Sequence, residues 1–162
     1  MTPRSLVLTA SLWEATLAAF APYRQRQVEG GCFWYGARQG DAARVGIPKQ
    51  VNRPQDFEIA AEALATLNVL VPEDLVVVAQ IHSHPGIDTT HSPRDDQLVV
   101  SRKVFSLVLP AYAALPCDLA SVGVHVHDGL RWVKLQPREA PRRLTIEATE
   151  ETITGPRVVD AR

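Results

Sequence analysis

Residues 81–96 read IHSHPGIDTTHSPRDD, and four of them, His82, His84, Ser92 and Asp95, are of types and spacings that could do chemistry together. In an extended chain residues two apart point to the same side, so His82 and His84 present both imidazoles on one face where the apolar run 75–81 ends. Two imidazoles and one carboxylate, with a fourth position left to water, make a catalytic zinc site, whereas a structural zinc is closed by four protein ligands. Asp95 is the candidate carboxylate. The stretch Ser92-Pro93-Arg94-Asp95 is also a helix-start signature, with serine as cap, proline in the first helical position and an acid closing the first turn. The two readings are compatible, because a helix beginning there carries Asp95 back over the two histidines. On residue types alone His91 could replace Asp95 in a three-histidine site, and Asp88 and Asp96 are further carboxylates nearby. A second His-x-His, His125 and His127, alternates with Val122, Val124 and Val126 and reads as a pair of exposed hairpin histidines.

Something must position these groups, and the composition bounds it. The chain has 162 residues, 46% of them hydrophobic, which is one domain's worth of sequence with material for a single buried core. Seventeen basic residues against eighteen acidic give a net charge of -1, without the basic stripe that a phosphate backbone requires, so nucleic acid is excluded as an expected partner. The start lacks the charged-then-apolar pattern of a signal segment and no apolar stretch approaches bilayer length, so the expectation is a cytoplasmic protein with no membrane partner. Cys32 and Cys117 have no paired spacing and read as free buried thiols.

The patterning alternates strands and helices. It predicts a strand at 6–9, a helix over 12–20 capped by Ser11, a glycine-punctuated aromatic strand around VEGGCFWYGAR and a strand at 43–47. Pro48 and Pro54 bracket an exposed loop, and the spacing of Phe57, Ile59, Ala60, Ala63, Leu64 and Leu67 predicts a helix over 55–67. The run 75–81 is apolar on both faces and belongs in mid-sheet, followed by a helix over 93–102 and a buried strand at 104–109. A hairpin turning at Asp128-Gly129 and a strand at 143–148 complete an α/β domain, a mixed central β-sheet flanked by helices. The polar tail from Glu150 onward is expected to be loosely held.

The set His82-Ser83-His84-Pro85, Ser92 and Asp95 resembles the JAMM motif of the MPN-domain (MPN+) metalloproteases: H-S/T-H-P, a serine eight residues past the second histidine and an aspartate three beyond that. Upstream, Glu29 heads EGGCFWYG, similar to the family's E-x-x-G-x-x-x-G, with Gly36 in place but Cys32 at the inner glycine position and Gly31 one residue early. The resemblance runs over 6–135. It implies a single MPN domain of the cytidine-deaminase-like α/β type over 1–149, with 150–162 as a tail. It also implies one zinc ion per chain held by His82, His84 and Asp95, with Glu29 as general base and then general acid, Ser92 as a donor to the oxyanion, and Ser83 and Pro85 as scaffold. The substrate it implies is the isopeptide or peptide bond after the C-terminal glycine of a ubiquitin-like protein, whose extended tail would lie along a sheet edge between the loops 48–54 and 87–91. With three lysines against fourteen arginines the chain resembles stand-alone bacterial members, which accompany ubiquitin-like activating and conjugating enzymes, including those of antiphage defence. Processing of a sulfur-carrier protein and a non-catalytic MPN scaffold are the alternatives within the same resemblance.

Overall fold

The computed structural model describes residues 5–38, 40–99, 101–148 and 156–162. In chain order the elements are β1 (Leu6–Thr9), α1 (Ala10–Ala19), α2 (Ala21–Arg26), β2 (Gly31–Ala37), β3 (Ala42–Ile47), β4 (Val51–Arg53), β5 (Asp56–Glu58), α3 (Ala61–Leu70), β6 (Leu75–Ser83), α4 (Pro93–Leu98), β7 (Phe105–Leu109), β8 (Gly123–His127), β9 (Trp132–Lys134), α5 (Ala140–Arg143), β10 (Leu144–Glu147) and β11 (Val158–Asp160). Seven strands form one mixed sheet in the order β11-β3-β2-β6-β7-β8-β9, with β11–β3 and β6–β7 parallel and the other neighbours antiparallel. The pairs β1–β10 and β4–β5 form two small separate sheets.

The alternation of β2 explains how the sheet acquires two covered faces. Cys32 and Trp34 enter the larger core with Leu8, Leu12 and Phe20, while Phe33 and Tyr35 enter a second core with Leu67, Val71 and Val159. Trp34 sits edge-on to Trp13 at 6.3 Å between ring centroids and donates its indole N–H to Thr16 Oγ1 at 2.8 Å, so its polar end is satisfied inside the core. Both cysteines are free and buried, as expected. Among the described residues no helix is long and apolar enough to cross a membrane.

The sequence-based boundaries shift in four places, one of them the helix expected over 93–102, which ends at Leu98. Helix α1 begins at Ala10, so Thr9 rather than Ser11 is the cap, its Oγ1 accepting from Leu12 N at 3.2 Å. The helix expected over 55–67 begins only at Ala61, because Asp56–Glu58 pairs with Val51–Arg53 as a hairpin and turns Phe57 inward while Glu58 stays in solvent. The hairpin also replaces part of the loop expected between Pro48 and Pro54. The tail expected to be loosely held ends instead in β11, which lies against β3 from Val158↔Val45 to Asp160↔Ile47 and so covers what would be an open edge. Arg162 fastens it, donating to Asp160 Oδ2 at 2.6 Å and to Ala19 O at 3.4 Å. Residues 149–155 lie outside the described residues.

The glycine pattern around β2 also has a physical basis. A Cβ on Gly36 would sit 2.1 Å from the carbonyl oxygen of Asp41, where β2 turns into β3, and a Cβ on Gly31 would sit 2.8 Å from the Phe57 ring. Cys32, by contrast, points into the larger core without conflict. The close approaches that demand glycine therefore fall at Gly30, where a Cβ would sit 2.3 Å from the Tyr23 ring, and at Gly31, before the position the motif suggests. Gly36→Ala should cost about 1–3 kcal/mol of stability, read from chemical denaturation, because the neighbour is rigid backbone.

Candidate metal centre and active site

The site lies where β6 ends. Strand parity brings His82 and His84 to one side, and their Nε2 atoms are 3.2 Å apart. Asp95 is the third residue of α4, and the capping box expected from sequence is present: Ser92 Oγ accepts from Asp95 N at 3.2 Å, and Ser92 N donates to Asp95 Oδ2 at 2.6 Å. That reciprocal pair turns the carboxylate back, placing Oδ1 3.4 Å from His82 Nε2 and Oδ2 3.3 Å from His84 Nε2.

These distances bear on metal binding. A tetrahedral ion with bonds of about 2.0–2.1 Å has ligand atoms about 3.3 Å apart; the two Nε2 atoms are 3.2 Å apart, and Asp95 approaches each through a different oxygen, Oδ1 3.4 Å from His82 and Oδ2 3.3 Å from His84. His84 Nδ1 lies 2.9 Å from the carbonyl oxygen of Asp88; a carbonyl only accepts, so Nδ1 carries a proton, and Nε2 is the ring atom that would bind an ion at the cluster. Burial works against charge on Asp95, but the hydrogen bonds from His82 and His84 outweigh it and hold its pKa well below the usual carboxylate range. An ion between these three groups would replace the imidazole protons that now face Asp95, and two imidazoles with one carboxylate are a donor set that fits it. Among the described residues, this is the one group of three or more such side chains whose ligand atoms lie within 4.8 Å of one another.

Glu29 faces the same space. It ends the segment leading into β2, where Gly31 is opposite His82 in register. Ser83 secures the crossing, its N donating to Gly30 O at 3.1 Å and its Oγ accepting from Gly30 N at 3.2 Å. On the other side Glu29 N donates to Arg53 O at 2.8 Å, and Asn52 Nδ2 donates to Glu29 O at 2.9 Å and to Gln50 Oε1 at 2.9 Å. Gln50 in turn makes paired amide bonds with Gly31, both 2.8 Å long, where β3 has already ended. Burial pushes the Glu29 carboxyl up to about 7, with His84 opposing and Asp95 adding to the shift, so its proton is poised for exchange near neutral pH. A cleft of about 260 Å³ joins Glu29, His84, Asp95, Ser92 and Arg94 with Gln55 to Phe57 of the hairpin. The Arg94–Asp56 ion pair, 3.3 Å long, links its two sides.

Not every expectation holds. His125 and His127 are buried at 2% and 4% exposure rather than exposed, because the α4 approach covers β8: the His91 ring stacks on His125 at 3.8 Å and 13°. Burial, then the neighbouring His91 and His82, push His125 down to about 3, so it stays neutral. A three-histidine site is also ruled out, since both ring nitrogens of His91 are engaged, by Asp96 at 2.8 Å and by Ser106 at 2.9 Å. Sequence reasoning missed Gln50, Asn52 and Phe57, whose ring centroid lies 6.0 Å from that of His82. It also missed Tyr112, whose N donates to His84 O at 2.8 Å and whose hydroxyl donates to Pro54 O at 2.8 Å. Gln50 and Asn52 lie in a segment that reads as a loop, and Phe57 in one that reads as a helix, so their polar or aromatic character alone does not single them out.

Comparison with known proteins gives this arrangement its class. The solution structure of a protein from Desulfitobacterium hafniense shares the fold, with a TM-score of 0.65 at 17% identity over 90% of this chain and 95% of its own. A JAB1/MPN domain protein from Archaeoglobus fulgidus aligns with a TM-score of 0.46 at 16% identity, over 82% of this chain and 96% of its own. No protein-family model matches the chain. A curated relative, the probable metalloprotease y4jG of Sinorhizobium fredii, is 35% identical over 133 residues, 75% of this chain and 82% of the relative. That relationship and the His-His-Asp cluster define a metallopeptidase. The chain belongs to the JAMM-type metalloprotease family.

Proposed function

We propose that this chain is a zinc-dependent peptidase of the cytoplasm that cleaves the peptide or isopeptide bond after the C-terminal glycine of a ubiquitin-like protein. The observation that carries the chemistry is the convergence of a buried glutamate, pushed up to about 7, on the same cleft as His84 and Asp95, which cluster with His82 behind it. Zinc is the natural occupant for two imidazoles and a carboxylate, and when bound it supplies Lewis-acid polarisation and acidifies water from a pKa near 16 to about 7.

The chain's own residues do the rest. Glu29 takes the proton of the attacking water on its carboxylate and delivers it to the leaving amine nitrogen. Ser92 Oγ spends its lone pair on Asp95 N, which leaves its hydroxyl hydrogen free to donate to the oxyanion. Ser92→Ala should lower turnover by about 10²- to 10³-fold with a smaller change in KM. The same change removes a cap worth about 1 kcal/mol, so calorimetry should show a lower melting temperature.

A preference for glycine is supported by the Arg94–Asp56 pair that links the two sides of the cleft, past which a backbone without side chains threads most easily. Gln55, Asp56 and Phe57 of the hairpin segment and Pro85 line the cleft and are suited to gripping an extended tail, whereas no residue of the loops 48–54 or 87–91 lines it. Ubiquitin-like activating and conjugating enzymes, in a defence setting or otherwise, are the partners this reading implies. The deciding assay offers ubiquitin-like and sulfur-carrier proteins from the same genome, fused through the terminal glycine to a reporter, beside short peptides of the same tail sequence. Release from a folded modifier, lost when a bulky residue replaces the glycine, supports the reading, and the modifier cleaved identifies the substrate. Equal cutting of arbitrary short peptides contradicts it.

A further inference from the structure

His91 has the hydrogen-bonding order of a Ser-His-Asp triad, with Asp96 Oδ1 2.8 Å from Nδ1 and Ser106 Oγ 2.9 Å from Nε2. It is no second nucleophilic centre, because Ser106 is 0% exposed in the middle of β7 and no substrate carbonyl can reach its oxygen. The same bonds do fix the ring completely. A carboxylate only accepts, so Nδ1 carries the proton and Nε2 accepts from the serine hydroxyl. The ring is also clamped flat on His125, and His91 N donates to His125 Nε2 at 3.3 Å.

What this clamp holds is α4. That helix has six residues, too few to be stable alone, and Asp95 is its one buried side chain. Its attachment to the sheet therefore depends on individual polar bonds. Asp96, next in chain to the candidate ligand Asp95, is tied through His91 to β7 and β8.

We infer that His91, Asp96 and Ser106 form a strut of positioning residues that fixes Asp95 and Ser92 against the two histidines of β6. The inference rests on the peptidase reading in that Asp95 must be a metal ligand. The measurement is metal affinity by competition between purified protein and a chelator, with zinc and with cobalt(II), whose visible spectrum reports ligand geometry. Asp96→Ala should weaken binding about 10- to 100-fold and alter the cobalt spectrum. The metal-free melting temperature should hardly move, because Asp96 is 47% exposed. Asp96→Asn, whose amide oxygen accepts the same bond from Nδ1, should restore most of the affinity. Ser106→Ala should weaken binding in the same direction. Wild-type affinity and an unchanged spectrum in both alanine variants would overturn the strut, as would Asp96→Asn binding as poorly as Asp96→Ala. A wild type that binds no metal would instead overturn the peptidase reading beneath it.

Discussion

Glu29→Gln should lower turnover by about 10²- to 10⁴-fold while keeping the metal and the fold, because the amide matches the carboxylate in shape but cannot accept a proton. Its backbone bonds to Arg53 and Asn52 do not involve the side chain, so the segment stays in place. A second consequence has a definite sign. The carboxyl titrates near 7 in the folded chain against an ordinary value of 4.5, so the stability it contributes is present below pH 4.5 and lost as the pH rises through 7. In metal-free protein the glutamine variant should therefore be the more stable of the two above pH 7, and the difference should vanish below about pH 4.5. Denaturation of both proteins across that range checks the linkage, and single-turnover assays check the chemistry. Unchanged turnover would remove Glu29 from the reaction.

His82→Ala and His84→Ala should each reduce bound zinc from about one ion per chain to nearly none after gel filtration, with hydrolysis lost alongside, since two remaining ligands hold an open site poorly. His84→Ala is the cleaner variant, because His82 is the more deeply buried and packs beside Phe57. Full zinc retention in both variants would move the metal to another part of the chain.

The cluster was legible in the sequence because its determinants are local. Strand parity places the histidines together, and the capping box places Asp95, each within a few residues of chain. The hairpin β4–β5 was not legible, since Phe57, Ile59 and Ala60 fit a helical spacing as well as a strand, and only the packing of Phe57 beside His82 and Gly31 decides between them. The same limit hid the burial of His125 and His127. Valines alternating with histidines describe one wet face, yet here the second face is covered by His91 and Trp132, which come from other segments. Gln50 and Asn52 are silent in sequence, because they act on backbone groups of Gly31 and Glu29 about twenty residues away. The parallel pairing of β11 with β3 joins segments far apart in the chain that no local pattern connects.

One measurement addresses the central claim most directly: diffraction from crystals grown with zinc, recorded on both sides of the zinc absorption edge. The account predicts a single anomalous peak bonded by His82 Nε2, His84 Nε2 and the Asp95 carboxylate, with the Glu29 carboxylate facing it across the cleft. A peak held by other residues, or a fully loaded protein with no peak at this cluster, would contradict it.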